Sequence, residues 1–161
     1  MSVTSLNKDV ENLTLTLIAD FAAPVERVWQ LWSDPRQLER WWGPPTYPAT
    51  VEQYDLTPGG DVTYFMTGPD GGKYRGWWRV ATVDAPTSLE FTDGFADEDG
   101  VPNPDMPTTT TRVTLTDREG GTRMEMRSVF DTREQMDQLM KMGMEEGLRE
   151  AAGQMDGLLV G

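Results

Sequence analysis

The fold is decided by an amphipathic stretch at residues 132–159, which reads TREQMDQLMKMGMEEGLREAAGQMDGLL. Apolar and small residues recur there at steps of three and four, which places them on one stripe of an α-helix. Thr132 with Gln135, and Asp131 with Glu134, both fit the capping-box spacing at the start of a helix. The stretch therefore predicts one continuous helix about 40 Å long that needs a partner surface of similar length. The stripe consists of Met136, Leu139, Met140, Gly143, Met144, Gly147, Leu148, Ala151, Ala152, Met155, Leu158 and Leu159.

Part of this stripe has almost no side chain, because Gly143, Gly147 and Ala151 lie four residues apart. Each glycine inside a helix costs about 1 kcal/mol relative to alanine, so we expect a compensating feature. That feature is either close approach of the sheet or space for a ligand. The methionines of the stripe leave the same choice open, because methionine fills gaps in ordinary cores and also suits adaptable apolar binding surfaces.

Composition excludes several classes of protein. The 161 residues include no Cys and no His, which excludes a disulfide framework, a thiol nucleophile, zinc bound by Cys and a histidine base. The net charge of −13 would repel nucleic acids and anionic membrane surfaces. The first residues, MSVTSLNKDVEN, have no signal-peptide pattern, and no run approaches the length of a membrane span. We therefore expect a cytoplasmic protein.

The first part of the chain predicts one strand and two short helices. Residues 13–21 alternate between apolar and polar side chains, as in a half-buried strand. Pro24 opens the first helix, and Asp34 is placed to cap the second, in which Pro35 takes the first position. Residues 1–11 carry no such pattern, and we expect them to form a flexible N-terminus.

From Tyr47 onward the pattern indicates only strands until the long helix. The turn sequence Gly68-Pro69-Asp70-Gly71-Gly72 joins two of them as a hairpin. No repeat or linker divides residues 1–161, so the sequence predicts a single α+β domain. Its helices would pack on one face of an antiparallel sheet of about six to seven strands. The predicted strands of this part are Ala49–Leu56, Val62–Thr67, Lys73–Val83, Leu89–Phe95, Thr108–Thr116 and Thr122–Phe130.

Several motifs carry a family resemblance that covers roughly residues 13–159. They are Ala23-Pro24-Val25-Glu26-Arg27-Val28-Trp29, Trp32-Ser33-Asp34-Pro35, Trp41-Trp42-Gly43-Pro44, Pro58-Gly59-Gly60, Tyr74-Arg75-Gly76, Pro86 with Leu89, and Gly120-Gly121-Thr122. With the order of elements, these motifs resemble the helix-grip fold of the START, polyketide-cyclase and birch-pollen-allergen superfamily, commonly called SRPBCC. More narrowly, the chain looks like the bacterial branch related to the C-terminal domain of the activators of a heat-shock-protein ATPase.

The resemblance implies a curved sheet that grips the C-terminal helix, with an apolar cavity between the two. Members of the superfamily bind lipids, sterols or aromatic polyketides, and some catalyse reactions on them. The eukaryotic activators use a separate N-terminal domain to engage the chaperone, and this chain has no room for it, so chaperone activation is not expected here. A fold of this kind hosts many functions, so the function has to be argued from the site.

Sites for metal, phosphate or acid–base chemistry have weak sequence support. The acidic loop from Asp93 to Asp105 lacks the ligand spacing of a calcium loop, and the glycines at 68–72 lack that of a phosphate-binding loop. We therefore expect neither a metal nor a cofactor. Without histidine, acid–base catalysis would need a carboxylate, tyrosine or cationic group with a shifted pKa. The inward-leaning candidates are Tyr64, Tyr74, Asp93 and Arg112.

The sequence thus predicts a non-catalytic protein that binds a small apolar, aromatic or lipid-like molecule between the sheet and the long helix. A cyclase or hydrolase acting on such a molecule is the first alternative, and a protein-interaction or chaperone-associated module is the second. Gly143→Leu would then block the cavity. The residues predicted to line it are Trp41, Trp42, Tyr64, Tyr74, Trp78, Phe91, Met126, Met140, Gly143 and Met144.

Overall fold

The computed structural model describes residues 3–159, which form an antiparallel sheet and a set of helices that cover one of its faces. The sheet is open, with the strand order β1-β2-β8-β7-β6-β5-β4-β3. The strands are β1 (Val3–Asp9), β2 (Thr14–Phe21), β3 (Ala49–Tyr54), β4 (Asp61–Thr67), β5 (Lys73–Asp84), β6 (Ser88–Phe95), β7 (Thr109–Arg118) and β8 (Gly121–Phe130). The helices are α1 (Val25–Ser33), α2 (Pro35–Leu38), α3 (Arg133–Lys141), α4 (Met144–Gly153) and α5 (Met155–Leu159). The predicted α+β class is confirmed.

The described part of the sheet has eight strands, so the predicted count of six to seven is too low. The extra strand is β1, which pairs antiparallel with β2 where the sequence predicted a flexible N-terminus at residues 1–11. Residues 1 and 2 lie outside the described part. An edge strand buries little of its surface, and only Val3 and Leu6 of β1 pack against the core. The strand therefore lacks the regular alternation that reveals a half-buried strand.

The two short helices begin as the sequence predicted. In α2, the Asp34 side chain accepts a hydrogen bond from the backbone N–H of Arg36 at 2.9 Å, and Pro35 occupies the first turn. The Gln37 side chain donates to the same carboxylate at 3.1 Å, which completes the cap. Residues 25–33 form α1 directly after Pro24, and its buried face includes Val28 and Trp32. The loop that follows α2 carries Trp41 and Trp42.

The predicted single C-terminal helix is wrong, because α3 ends at Lys141 and α4 begins only at Met144, with Gly143 out of the helical conformation between them. Gly143 has φ +90°, a left-handed conformation that glycine adopts without steric cost, and it separates α3 from α4. A second, smaller break at Gln154 separates α4 from α5. The predicted start is confirmed, because the backbone N–H of Gln135 donates to the Thr132 hydroxyl at 3.1 Å. The break at Gly143 divides the helices that cover the sheet into α3 on one side and α4 with α5 on the other.

A cluster of aromatic rings fills the core between the sheet and the helices. Trp78 stacks on Phe91 at a centroid distance of 3.9 Å, and Trp32 packs edge-on against Trp41 at 4.7 Å. The Trp41 indole N–H donates to the carbonyl oxygen of Leu31 at 2.8 Å in the buried interior. Each ring of this size buries a large apolar area and contributes strongly to the stability of the core. Side chains of the neighbouring strands pack beside this aromatic cluster.

Close packing of Tyr64 depends on a glycine in the adjacent strand. Tyr64 of β4 lies directly opposite Gly76 of β5, and its ring occupies the space that a side chain at residue 76 would need. A Cβ atom added to Gly76 would lie 2.5 Å from the Tyr64 ring. The glycine therefore fixes where the tyrosine ring and its hydroxyl lie.

We expect Gly76→Ala to lower the free energy of unfolding by about 1–3 kcal/mol, because the new methyl group must displace the Tyr64 ring. Urea denaturation of both proteins measures this. Gly153→Ala is the matched control, because residue 153 is exposed in α4 with open space around it, and alanine there should leave stability unchanged or raise it by up to about 1 kcal/mol. Equal stability of Gly76→Ala and the wild type would show that the Tyr64 ring moves without cost.

Candidate functional site

A cavity of about 280 Å³ lies between the sheet and the helices α3 and α4. Strands β4, β6, β7 and β8 supply its floor, the two helices cover it, and the loop after α2 closes one side. Most of the lining is apolar, with a few hydroxyl groups and one carboxyl group. The lining residues are Trp42, Pro44, Tyr64, Met66, Asp93, Phe95, Thr109, Thr111, Met126, Ser128, Leu139, Met142, Gly143, Met144, Gly147, Leu148 and Ala151.

The helix glycines border open space. A Cβ atom added to Gly143 or Gly147 would meet no atom within 4 Å apart from its own helix backbone and chain neighbours. The sequence left open whether the sheet approaches these glycines or a cavity lies beside them, and the second arrangement is found at both positions. Ala151 continues the same line and is buried at 3% exposure. Small residues on α4 thus leave the volume that larger side chains would fill.

Five of the ten residues predicted to line a cavity surround this one. Trp42 comes from the loop after α2, Tyr64 from β4 and Met126 from β8, so distant parts of the chain converge. Gly143 and Met144 lie at the break between α3 and α4.

The other five predicted residues lie elsewhere. Trp41, Trp78 and Phe91 are fully buried in the aromatic core behind the cavity. Met140 packs against a second apolar cluster below α3, beside Leu15 and Phe130. Tyr74 lies near the β4–β5 turn and is 53% exposed. Its ring packs against the Tyr47 ring, with 5.7 Å between the ring centroids.

Three hydroxyl-bearing lining residues were missed from the sequence. Thr109 and Thr111 lie in a run of four threonines at residues 108–111, in which identical side chains hide the alternation of a strand. The Thr111 and Ser128 hydroxyls lie 3.1 Å apart and hydrogen-bond to one another across β7 and β8. Placement of Ser128 on the same face as Met126 was the signal that could have identified it.

Asp93 is the only carboxyl group among the lining residues. Desolvation by burial raises the pKa of Asp93 to about 7, so the carboxyl group changes charge near neutral pH. No salt bridge joins Asp93 to a cation within residues 3–159. The Asp93 side chain is half-buried, and an ionised carboxylate there has no cationic partner among the described residues.

Tyr64 shares the cavity with Asp93, and the two groups interact. Burial, and secondly the negative charge of Asp93, raise the pKa of the Tyr64 hydroxyl above its ordinary value. The indole N–H groups of Trp42 and Trp78 oppose this rise, although neither makes a well-aligned hydrogen bond to the hydroxyl. Tyr64 is therefore neutral at physiological pH and available as a hydrogen-bonding group.

The remaining acid–base candidates, Tyr74 and Arg112, lie outside the cavity. The Arg112 side chain is 58% exposed, and its guanidinium is 4.0 Å from the Glu90 carboxylate on the neighbouring strand. Of the four predicted candidates, the cavity brings together Tyr64 and Asp93.

Two indole N–H groups near the cavity are buried without an acceptor. The Nε1 atoms of Trp42 and Trp78 make no hydrogen bond with any described residue, and the same holds for Trp32. The Trp42 ring packs edge-on against Tyr64 at 6.1 Å and against Trp78 at 4.9 Å. Buried donors without partners are uncommon in folded proteins and point to a group that the fold itself does not supply.

Within residues 3–159, no cluster of three or more acidic side chains is arranged to hold a metal ion. No helix of the same span is both long and apolar enough to cross a membrane.

Comparison with solved structures identifies close relatives along the whole described chain. A protein from Arthrobacter aurescens is 54% identical, and the match covers 98% of this chain and 92% of that one, with a TM-score of 0.95. A protein from Mycobacterium smegmatis is 52% identical over 98% of this chain and 97% of its own, with a TM-score of 0.91. A Staphylococcus epidermidis protein is 25% identical over 97% and 93% of the two chains, with a TM-score of 0.83.

No functionally curated protein matches the sequence. The family model described as "Activator of Hsp90 ATPase homolog 1-like protein" matches residues 22–160, which is most of the chain. The order of elements and the resemblance drawn from the Trp-Trp-Gly-Pro motif agree with this match. The chain therefore belongs to the Activator of Hsp90 ATPase homolog 1-like family, within the SRPBCC helix-grip superfamily.

Proposed function

We propose that this protein binds a small apolar or aromatic molecule, without catalysis, in the cavity between the sheet and helices α3 and α4. The cavity itself carries the proposal. Its lining is mostly apolar, with a few polar groups placed among the apolar ones, which is the usual composition of sites for small organic molecules.

The helix break supports the proposal because it concentrates adaptable groups at the cavity. Met142 and Met144 flank Gly143, and all three residues line the cavity. Flexible methionine side chains can repack around ligands of different shapes. Gly147 lies inside α4 with open space beside it, and a helix-interior glycine costs about 1 kcal/mol relative to alanine, so its presence makes sense if that space is used.

Interaction with a protein partner has less support. Large exposed apolar side chains are scattered over the described surface and include Val101, Val129 and Met142. Tyr47 and Tyr74, which are also exposed, pack against one another. A dedicated docking surface would have a larger contiguous apolar patch. A protein partner and a cytoplasmic location stay predictions from the sequence.

An acid–base enzyme is the second candidate, and Asp93 is the observation that favours it. A general base works best when its pKa is near the working pH, and Asp93 reaches that range inside an apolar cavity. Tyr64 could then supply a proton or a hydrogen bond to a developing oxyanion. The two candidates share one site and differ in whether the bound molecule leaves unchanged.

Native mass spectrometry of the purified protein tests the proposal directly. We expect a reproducible adduct of a small organic molecule that disappears when the protein is denatured, and the mass difference gives the mass of that molecule. Incubation with the recovered molecule separates the two candidates, because an enzyme converts it to a product of different mass or retention time. A bare protein mass, together with no uptake of added apolar probes, would contradict ligand binding.

Gly147→Leu tests the cavity by filling it. The sequence suggested Gly143→Leu, but φ +90° at that residue would strain any L-side chain, so a loss of binding there would be ambiguous. Gly147 is helical and faces open space in the cavity, and leucine there should lower the affinity for the neutral fluorescent probe N-phenyl-1-naphthylamine at least about tenfold.

Gly153→Leu is the matched control for this change. Residue 153 lies in the same helix, on its exposed side, with open space around it. Both substitutions remove a helix glycine and should keep or raise the melting temperature. We expect wild-type probe affinity in Gly153→Leu, and equal affinity in Gly147→Leu would place the probe outside the proposed cavity.

The charge of Asp93 is testable through stability. Because its folded pKa is raised from 3.8 to about 7, Asp93 binds its proton more tightly in the folded state. Its contribution is therefore fully present below pH 4 and is lost as pH rises towards 7. Asp93→Asn removes this loss, so the variant should become more stable than wild type with rising pH, by up to about 4 kcal/mol above pH 7.

Urea denaturation between pH 4 and 9 measures this difference. Asp117→Asn, an exposed position on β7, controls for the general loss of one negative charge. A difference between Asp93→Asn and wild type that stays constant with pH would mean that Asp93 titrates as an ordinary exposed aspartate.

A further inference from the structure

Three polar groups lie close together in a mostly apolar cavity. Trp42 contributes an indole N–H, Tyr64 a hydroxyl and Asp93 a carboxyl group, and all three residues line the cavity. The Trp42 Nε1 atom is buried and makes no well-aligned hydrogen bond within the described chain, although the Tyr64 hydroxyl lies close to it. The charge of Asp93 is close enough to act on the Tyr64 hydroxyl. The Trp78 ring packs edge-on against the Trp42 ring, with 4.9 Å between the ring centroids, and so supports the position of the Trp42 indole.

Buried polar groups lower the stability of the folded protein when they have no hydrogen-bond partner. A buried donor without an acceptor costs about 1–3 kcal/mol, and a buried carboxylate without a donor costs more. Apolar residues of the same shape would have been less costly to the fold at these positions. Neighbouring polar groups show the contrast, because Thr111 and Ser128 satisfy each other in the same cavity.

We infer that Trp42, Tyr64 and Asp93 form a hydrogen-bonding subsite for a hydroxyl group carried by an aromatic or other apolar ligand, an inference that rests on the proposed function. A hydroxyl group can accept a hydrogen bond from the Trp42 N–H and donate one to the Asp93 carboxylate. The Tyr64 hydroxyl can take either role, so it completes the set whichever way the ligand hydroxyl is oriented.

Other ligand groups fit this set less well. A carbonyl oxygen would satisfy the Trp42 N–H but would leave an ionised Asp93 without a donor. An ammonium group would pair with Asp93 but offers no acceptor to the Trp42 N–H. A carboxylate would be repelled by Asp93 and by a chain with a net charge of −13. Of these four groups, only the hydroxyl offers both an acceptor for the Trp42 N–H and a donor for the Asp93 carboxylate.

Binding of a hydroxyl ligand should strengthen as pH rises through about 7, because the ionised carboxylate is the better acceptor. Tyr64 is the other titratable group in the cavity lining, and it stays neutral over this range because its pKa is raised. The strand partners of Asp93 are Trp78 on β5 and Thr109 on β7, and neither carries a charge. The residues of α3 and α4 that line the cavity are also uncharged.

Three probes with one ring system test the subsite. Naphthalene, 2-naphthol and 2-naphthylmethylamine offer the same apolar surface with no polar group, a hydroxyl group and a cationic amine. Equilibrium dialysis against the full chain at pH 6 and pH 8 gives their dissociation constants. At pH 8 we expect 2-naphthol to bind at least about tenfold more tightly than naphthalene, because a hydrogen bond to a charged group is worth that much. The preference should shrink at pH 6.

Asp93→Asn should reduce the preference for 2-naphthol and remove its pH dependence, while naphthalene binds as in wild type. Asp117→Asn, which makes the same chemical change at an exposed position near the end of β7, should behave as wild type. Unchanged naphthalene binding shows that Asp93→Asn is folded with its cavity intact. Circular dichroism of each variant provides a second check on the fold.

The outcomes separate the subsite from the proposed function. Equal binding of naphthalene and 2-naphthol by wild type, with both lost in Gly147→Leu, would overturn the subsite and leave the cavity as a purely apolar site. Tighter binding of 2-naphthylmethylamine than of 2-naphthol would overturn the hydroxyl assignment in favour of a cation. If none of the three probes binds, the proposed function fails and the subsite fails with it.

Discussion

Burial of the inner sheet face by the C-terminal helices is the constraint on which the rest of the structure depends. Alternate residues of the strands present an almost continuous apolar surface, and a sheet face of this kind is stable only when another layer covers it. Helices α4 and α5 cover one part tightly, with Ala152 and Met155 fully buried. Beside this part the helices fill less of the space above the sheet, because glycines replace larger side chains along α4. The cavity is therefore a region where the packing of the helices on the sheet, which stabilises the fold, is incomplete.

Much of this fold could be predicted from local sequence patterns, and the failures have local causes. Strand alternation, the hairpin turns and the caps at Asp34 and Thr132 are short-range signals, and the structure contains the elements they predict. The helix break at Gly143 was missed because its apolar stripe keeps helical spacing on both sides. A glycine just after the basic residue Lys141 is also a usual helix end, but periodicity masked that signal.

The site was less predictable because its members depend on how strands are aligned with one another. Trp41 and Trp42 are neighbours in sequence, yet one is sealed in the core and the other reaches the cavity. Tyr64 lies inside because Gly76 opposite it leaves room for the ring, a relation that only the strand register reveals. Tyr74 has the same residue type and an inward parity, but it lies where the helices no longer cover the sheet. The alternation of side chains along a strand predicts which face of the sheet a residue lies on. Whether that residue is buried depends on whether a helix or loop covers that part of the face.

The distribution of polar groups bears on how stability and function are balanced in this domain. Thr122 donates to the backbone carbonyl of Ala23 at 2.7 Å, and Trp41 donates to that of Leu31, so these two buried donors are matched by the fold, whereas the core indole N–H groups of Trp32 and Trp78 are not. The Trp42 N–H and the Asp93 carboxyl group are not matched in this way, although both lie next to well-packed rings. A core selected only for stability would have apolar side chains at these positions. Because the Trp42 N–H, the Asp93 carboxyl group and the helical Gly147 all lie around one cavity, part of the loss of stability falls where a bound molecule would offset it.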